Sequence, residues 1–162
     1  MKRMVMAVII SAMMYAATAA MLTSCTWMEN IFETEKPKDD GPVIPADEVL
    51  DVRELIAGDF DGDTVWVRGI VVGGLLSDGA IDFALGSEVM GNVLVLADEA
   101  DCHDPDDCMA LQLTKKAHKE ELGPDRDANR EKVFHQELYV QGKATTYKRM
   151  PALTNICTYQ LE

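Results

Sequence analysis

The chain has 162 residues, enough for one domain, with 15 basic against 28 acidic residues and a formal charge of −13. That balance excludes the phosphate-dominated contacts of a nucleic-acid binder. It also excludes a polybasic membrane patch, and suits a soluble head held away from a bilayer.

The first segment, "MKRMVMAVIISAMMYAATAAMLTSC", is not part of the fold. Lys2 and Arg3 precede an apolar run from Met4 to about Ala20, the order of a secretory signal. The run is short for a membrane-spanning helix, which needs roughly 20 strongly apolar residues. Leu22-Thr23-Ser24-Cys25 resembles a bacterial lipobox, which implies cleavage before Cys25 and lipidation of its thiol. The competing readings are an uncleaved anchor helix and a plain signal peptide. We expect residues 1–24 to be a lipoprotein signal peptide and the mature chain to hold a membrane through lipid without spanning it. Removing that segment leaves 13 basic against 28 acidic residues, a charge of −15.

Residues 25–45 carry three prolines and mixed charge with no sustained period, and read as a tether. Residues 46–162 form the domain. "ADEVLDVRELIAG" predicts a short helix, with Val49, Val52 and Ile56 at helical spacing and Gly58 as its stop. "DTVWVRGIVVGG" then changes to the period of a strand, with Gly69 marking a bulge or bend. "LLSDGAIDFALGSEVMG" reads as a loop with a hairpin extension. "NVLVLAD" and "MALQL" are compact strands, the second with Met109, Leu111 and Leu113 on one face. "TKKAHKEELG" favours helix to Gly123. "ELYVQGKATTY" alternates through Leu138, Val140, Gly142 and Ala144, and "NICTYQLE" is the last strand.

The order predicts a mostly β protein. It is a five-stranded OB-fold-like Greek-key barrel with a short N-terminal helix and one helix between strands three and four. The blocks "TVWVRGIVVGG", "NVLVLADEAD", "CMALQL" and "LYVQGKATTYKRMPALTNICTYQL" resemble a family of OB-fold-like domains in Bacteroidetes lipoproteins and surface proteins. Trp66, Val67, Gly69, Val71, Val72 and Gly73 match its first block, and Asn92, Ala97 and Asp98 its second. Cys108, Gln112 and Leu113 match the third, and Tyr147, Pro151 and Leu153 the last. The chain departs at "KRMPALTN", where Arg149-Met150-Pro151-Ala152 replace the expected glycines. The resemblance implies the barrel and the envelope location, and assigns no activity.

"DFDGD" places acids as a calcium loop does, but counting from Asp59 puts Thr64 where such a loop needs glycine and Ile70 where it needs glutamate. We read it as an Asp-Gly turn. Cys102, His103 and Cys108 lack the close spacing and the fixed fourth ligand of a zinc site. In an exported chain Cys102, Cys108 and Cys157 are disulfide candidates instead. Cys102 with Cys108 and Cys108 with Cys157 both stay open, and one thiol of the three must be odd. The loop "YKRMPALTN" places Tyr147, Lys148, Arg149 and Met150 where OB folds hold ligand, and is the candidate binding loop; a solvated turn is the plainer reading.

No nucleophile–base arrangement, phosphate-cradling glycine loop or selected carboxylate pair appears in the sequence. We therefore expect no enzyme, no cofactor, no metal and no nucleic-acid partner. The expected role is binding or assembly at the outer membrane, with a protein or glycan partner and either leaflet face open. A structural accessory subunit is the main alternative, and a divalent-cation-dependent enzyme a weaker one.

Overall fold

A computed structural model describes residues 42–162. Cys25, the signal segment and nearly all of the tether lie outside them. The strands are β1 (Val49–Leu50), β2 (Thr64–Leu75), β3 (Ile81–Asp82), β4 (Val93–Ala97), β5 (Met109–Gln112), β6 (Glu137–Tyr147) and β7 (Met150–Leu161). The helices are α1 (Val52–Ala57), α2 (Lys116–Leu122) and α3 (Asp127–Val133). Among these residues no helix is long and apolar enough to cross a membrane.

The sheet runs β2-β4-β5-β7-β6 and closes by pairing β6 back to β2. The β5–β7 pair is parallel and the other pairs of the ring are antiparallel. This is the five-stranded Greek-key barrel of the OB fold. Closure depends on β2, which pairs through Thr64–Ile70 with β6 and through Ile70–Gly74 with β4. The change of partner falls just after Gly69, and a bulge follows between Val71 and Gly73. A Cβ on Gly69 would stand 2.8 Å from Val52 Cγ2 and 3.1 Å from Leu96 Cβ, so the bend needs a bare backbone there. Gly73 serves a different approach: its Cβ would meet the Asp82 carbonyl oxygen at 2.4 Å, blocking the pairing of β3.

Alternation along the strands sorts the side chains. Val67, Val71, Leu94, Leu96, Met109, Leu111, Leu138, Val140, Ala144 and Leu153 point into the barrel. Leu122 and Val133 enter from α2 and α3, and Val52 and Leu55 from α1. The periods read in "MALQL" and "ELYVQGKATTY" are therefore the barrel's own.

Four sequence expectations change. The N-terminal helix begins at Val52 instead of near Ala46, because Val49 and Leu50 pair in parallel with Trp66 and Val67. Its buried face is Val52 and Leu55 with Ile56 packed partly buried beside them, and Val49 belongs to β1 instead. Two helices, not one, join β5 to β6. The second has little apolar period because polar side chains fix it. Asn129 Nδ2 donates to the carbonyls of Glu120 and Gly123, each at 3.0 Å, and Arg130 donates to that of Pro124 at 3.0 Å, occupying carbonyls at the end of α2. Finally, β7 begins at Met150, so the expected loop "YKRMPALTN" shrinks to Lys148 and Arg149.

Candidate binding face of the barrel

OB barrels hold ligands on the outer face of their second and third strands, between the one–two and four–five loops. Here those strands are β4 and β5, and their outward face carries Val93, Val95, Ala97 and Ala110, with Cys108 just before β5. All five are 0% exposed. With Val72, Leu75 and Ala152 they form a second apolar core outside the barrel. The pattern explains why "NVLVLAD" shows no clean alternation: both faces of β4 are buried, as a continuous apolar run allows.

The cover is the chain itself. The 76–92 segment lays Ile81, Phe83 and Met90 on the second core and sends Leu85 and Val89 into the first. Aspartates shape it. Asp82 accepts from the amides of Ala84 at 2.9 Å and Gly86 at 2.8 Å, and Asp78 accepts from that of Ala80 at 2.9 Å. From the other side the 98–108 loop adds Cys102. The two covers meet where Phe83 stands edge-on to His103, centroids 5.1 Å apart. The hairpin extension expected in this segment is present as the β2–β3 pair.

The candidate binding loop is a tight turn. Lys148 and Arg149 both adopt left-handed backbone, with φ of +50° and +73°. These are the conformations the missing glycines would favour. Tyr147 and Met150 pack on the second core. Lys148 Nζ donates to the Ser77 carbonyl at 2.7 Å, tying this turn to the 76–92 cover. Lys148 and Arg149 are both exposed and in no ion pair among the described residues, but only Lys148 is held by a side-chain hydrogen bond.

"DFDGD" forms a turn, with Gly62 at φ +92° and the Asp63 amide bonded to the Phe60 carbonyl at 2.8 Å. Among the described residues no three His, Cys, Asp or Glu side chains converge as metal ligands. Cys102, Cys108 and Cys157 are all free thiols. The geometry separates the two candidate pairings. Ala110 is in register with Ala152 across the parallel β5–β7 pair, so Cys157 lies several residues beyond any partner of Cys108, and it is exposed. The candidate pairing of Cys108 with Cys157 is therefore not brought together, because β7 starts at Met150 and not near Asn155. Cys102 and Cys108 do come together, with Sγ atoms 3.9 Å apart.

Asp98 has a structural role that short-range reading missed. Its carboxylate accepts from the amides of Val52 at 2.7 Å and Arg53 at 3.2 Å, the first two of α1. Asp51 and Glu54 complete the cap as a reciprocal capping box. Above this junction lies a cleft of about 170 Å³ flanked by Arg53, Asp98, Cys102, His103 and Asp107. Arg53 forms weak, exposed ion pairs there with Glu99 at 3.8 Å and Asp107 at 3.9 Å. A larger cleft, of about 460 Å³, lies between Val49, Glu54, Arg68, Tyr139 and Glu162.

The strand pairings and the roofed β4–β5 face define an OB-fold domain whose usual ligand surface is closed by its own loops. The chain belongs to the family described as a domain of unknown function (DUF6359), whose profile matches residues 50–162. Among solved structures it is similar to the telomere capping protein Ten1 from Saccharomyces pombe. The identity is 13%, over 68% of this chain and 79% of that one, with a TM-score of 0.36. It is also similar to a putative aspartyl-tRNA synthetase from Leishmania major Friedlin, at 12% identity and a TM-score of 0.41, covering 70% of this chain and 20% of that one. With TM-scores this low the barrel assignment rests on the strand pairings. No curated protein matches the chain.

Proposed function

We propose that the protein is a lipoprotein of the cell envelope, lipidated on Cys25, that binds or assembles with a partner through the rim of its OB barrel. The anchoring half rests on Lys2, Arg3, the apolar run and Leu22-Thr23-Ser24-Cys25. The observation that carries the binding half is the filled β4–β5 face. Its apolar side chains contact the chain's own loops, and those loops are what the barrel presents outward. Arg149 stands at the tip of that rim, a side chain suited to anchoring a contact. Acidic residues of the 98–108 loop and the net charge of −13 favour a protein or glycan partner over nucleic acid.

Two measurements test this reading. Cys25→Ser should abolish incorporation of labelled fatty acid and move the protein from the membrane fraction to the soluble fraction. A photo-cross-linker at Arg149 should capture a partner in intact cells, while one at Glu131, exposed on α3, should not. Unchanged membrane association of Cys25→Ser would overturn the anchor. Equal capture at both positions would overturn the rim.

A further inference from the structure

We propose that Cys102 and Cys108 are a disulfide-forming pair, a covalent clasp that fastens the 98–108 loop over the second core. With Cys25 set aside as the proposed lipidation site, the sequence leaves three cysteines with no order among them, and the structure brings two of them together. The 3-10 turn Pro105–Asp107 folds the loop back on itself, started by Asp104, whose side chain accepts from the Asp106 amide at 3.0 Å. Both thiols then face the Asp104 carbonyl, Cys108 at 3.2 Å and Cys102 at 3.7 Å, and the sulfurs stand 3.9 Å apart. A disulfide needs about 2.05 Å between sulfurs, so a rotation and small approach on the Cys102 side, which lies in loop, closes the bond.

The alternatives fit the site less well. A metal would need further ligands, and the adjacent His103 has its ring against Phe83. Cys157 is exposed on β7, out of register with Cys108.

The pair also has an order of reaction. Cys102 is half-exposed and Cys108 buried. Burial, helped by Cys102 and by Asp107 and Asp104, pushes the Cys108 thiol up to about 12. Cys102 therefore reacts first. Its thiolate attacks a disulfide of the oxidant and expels one thiolate, leaving a mixed disulfide. Cys108 then loses its proton to solvent and attacks Cys102 Sγ, forming the internal bond and expelling the second thiolate. Two protein thiols are oxidised and one oxidant disulfide is reduced to two thiols. The chemistry does not depend on the proposed export, which would supply the oxidant in the cell.

The bond would hold more than its own loop. The same segment carries Asp98, the cap of α1, and Cys102 on the second core.

The test uses the full-length protein, reduced and then incubated with oxidised glutathione, followed by peptide mapping. We expect one species lacking two hydrogens, with Cys102 and Cys108 in a single linked peptide, Cys157 still open to alkylation, and a raised Tm. Cys102→Ser should lose the linkage and the Tm gain together, while Cys157→Ser keeps both. Substituting half-exposed Cys102, and not buried Cys108, keeps the variant folded, and Cys157→Ser controls for the loss of a thiol elsewhere. Persistence of both thiols, arrest as a glutathione adduct on Cys102, or Cys157 in the linkage would each overturn the clasp.

Discussion

Asp98→Ala removes the cap on α1 that comes from the end of β4, 46 residues along the chain. Two amides lose an anionic acceptor, Val52 at 2.7 Å and Arg53 at 3.2 Å. They are not equivalent. Val52 is 0% exposed, so water cannot readily replace the carboxylate, whereas Arg53 is exposed. Leaving a buried donor unsatisfied costs about 1–3 kcal/mol, and losing an ordinary cap about 0.5–2 kcal/mol. We expect a total near 2–3 kcal/mol. At about 4 °C per kcal/mol for a domain of roughly 120 residues, that is a fall in Tm of about 8–12 °C. Asp51→Ala is the matched control, because it removes only the exposed bond to the Glu54 amide at 2.7 Å and should cost about 1 kcal/mol. Asp98→Asn keeps one acceptor oxygen and should recover about half of the loss. The assay is urea and thermal unfolding followed by circular dichroism, with m held constant across variants. An Asp98→Ala loss no larger than that of Asp51→Ala would refute the claim that the remote carboxylate is the principal cap.

Three further outcomes follow from the geometry. Gly69→Ala should destabilise by about 1–3 kcal/mol through overpacking against Val52 and Leu96, and adding Val52→Ala should cost less than the sum of the two single losses, read by denaturant melts. Arg149→Gly should stabilise by about 0.5–1 kcal/mol by relieving left-handed backbone at φ +73°, while Lys148→Ala should destabilise by freeing the 76–92 cover; paired melts with opposite signs check this. Burial, then Lys115, holds His118 below its ordinary value, so the fold favours the neutral ring. The unfolded chain then binds the proton first as pH falls, and stability is lost below pH of about 6.5 and flat above it. The Tm drop from pH 7.5 to 5.5 should therefore be smaller in His118→Gln than in the parent protein.

The barrel was legible in the residues because its interior repeats every second position. Met109, Leu111 and Leu113, and Leu138, Val140 and Ala144, fall on the core face as their spacing requires. Gly69 was legible as a glycine inside a β-branched run, although the crowding by Val52 and Leu96 that requires it is tertiary. The turn in "DFDGD" was likewise local, set by an Asp-Gly pair. The second helix between β5 and β6 was not legible, because hydrogen bonds from Asn129 and Arg130 to carbonyls on the preceding turn hold it, and these leave no apolar period.

The sequence by itself determined the five barrel strands and the inward faces of β5 and β6, since each depends on neighbours a few residues apart. Only the tertiary structure decided that Asp98 caps a helix 46 residues away, that the 76–92 segment roofs the ligand face, and that Cys102 meets Cys108 and not Cys157. The physical reason is that caps, roofs and thiol pairs depend on through-space register, and the closure of the barrel sets that register.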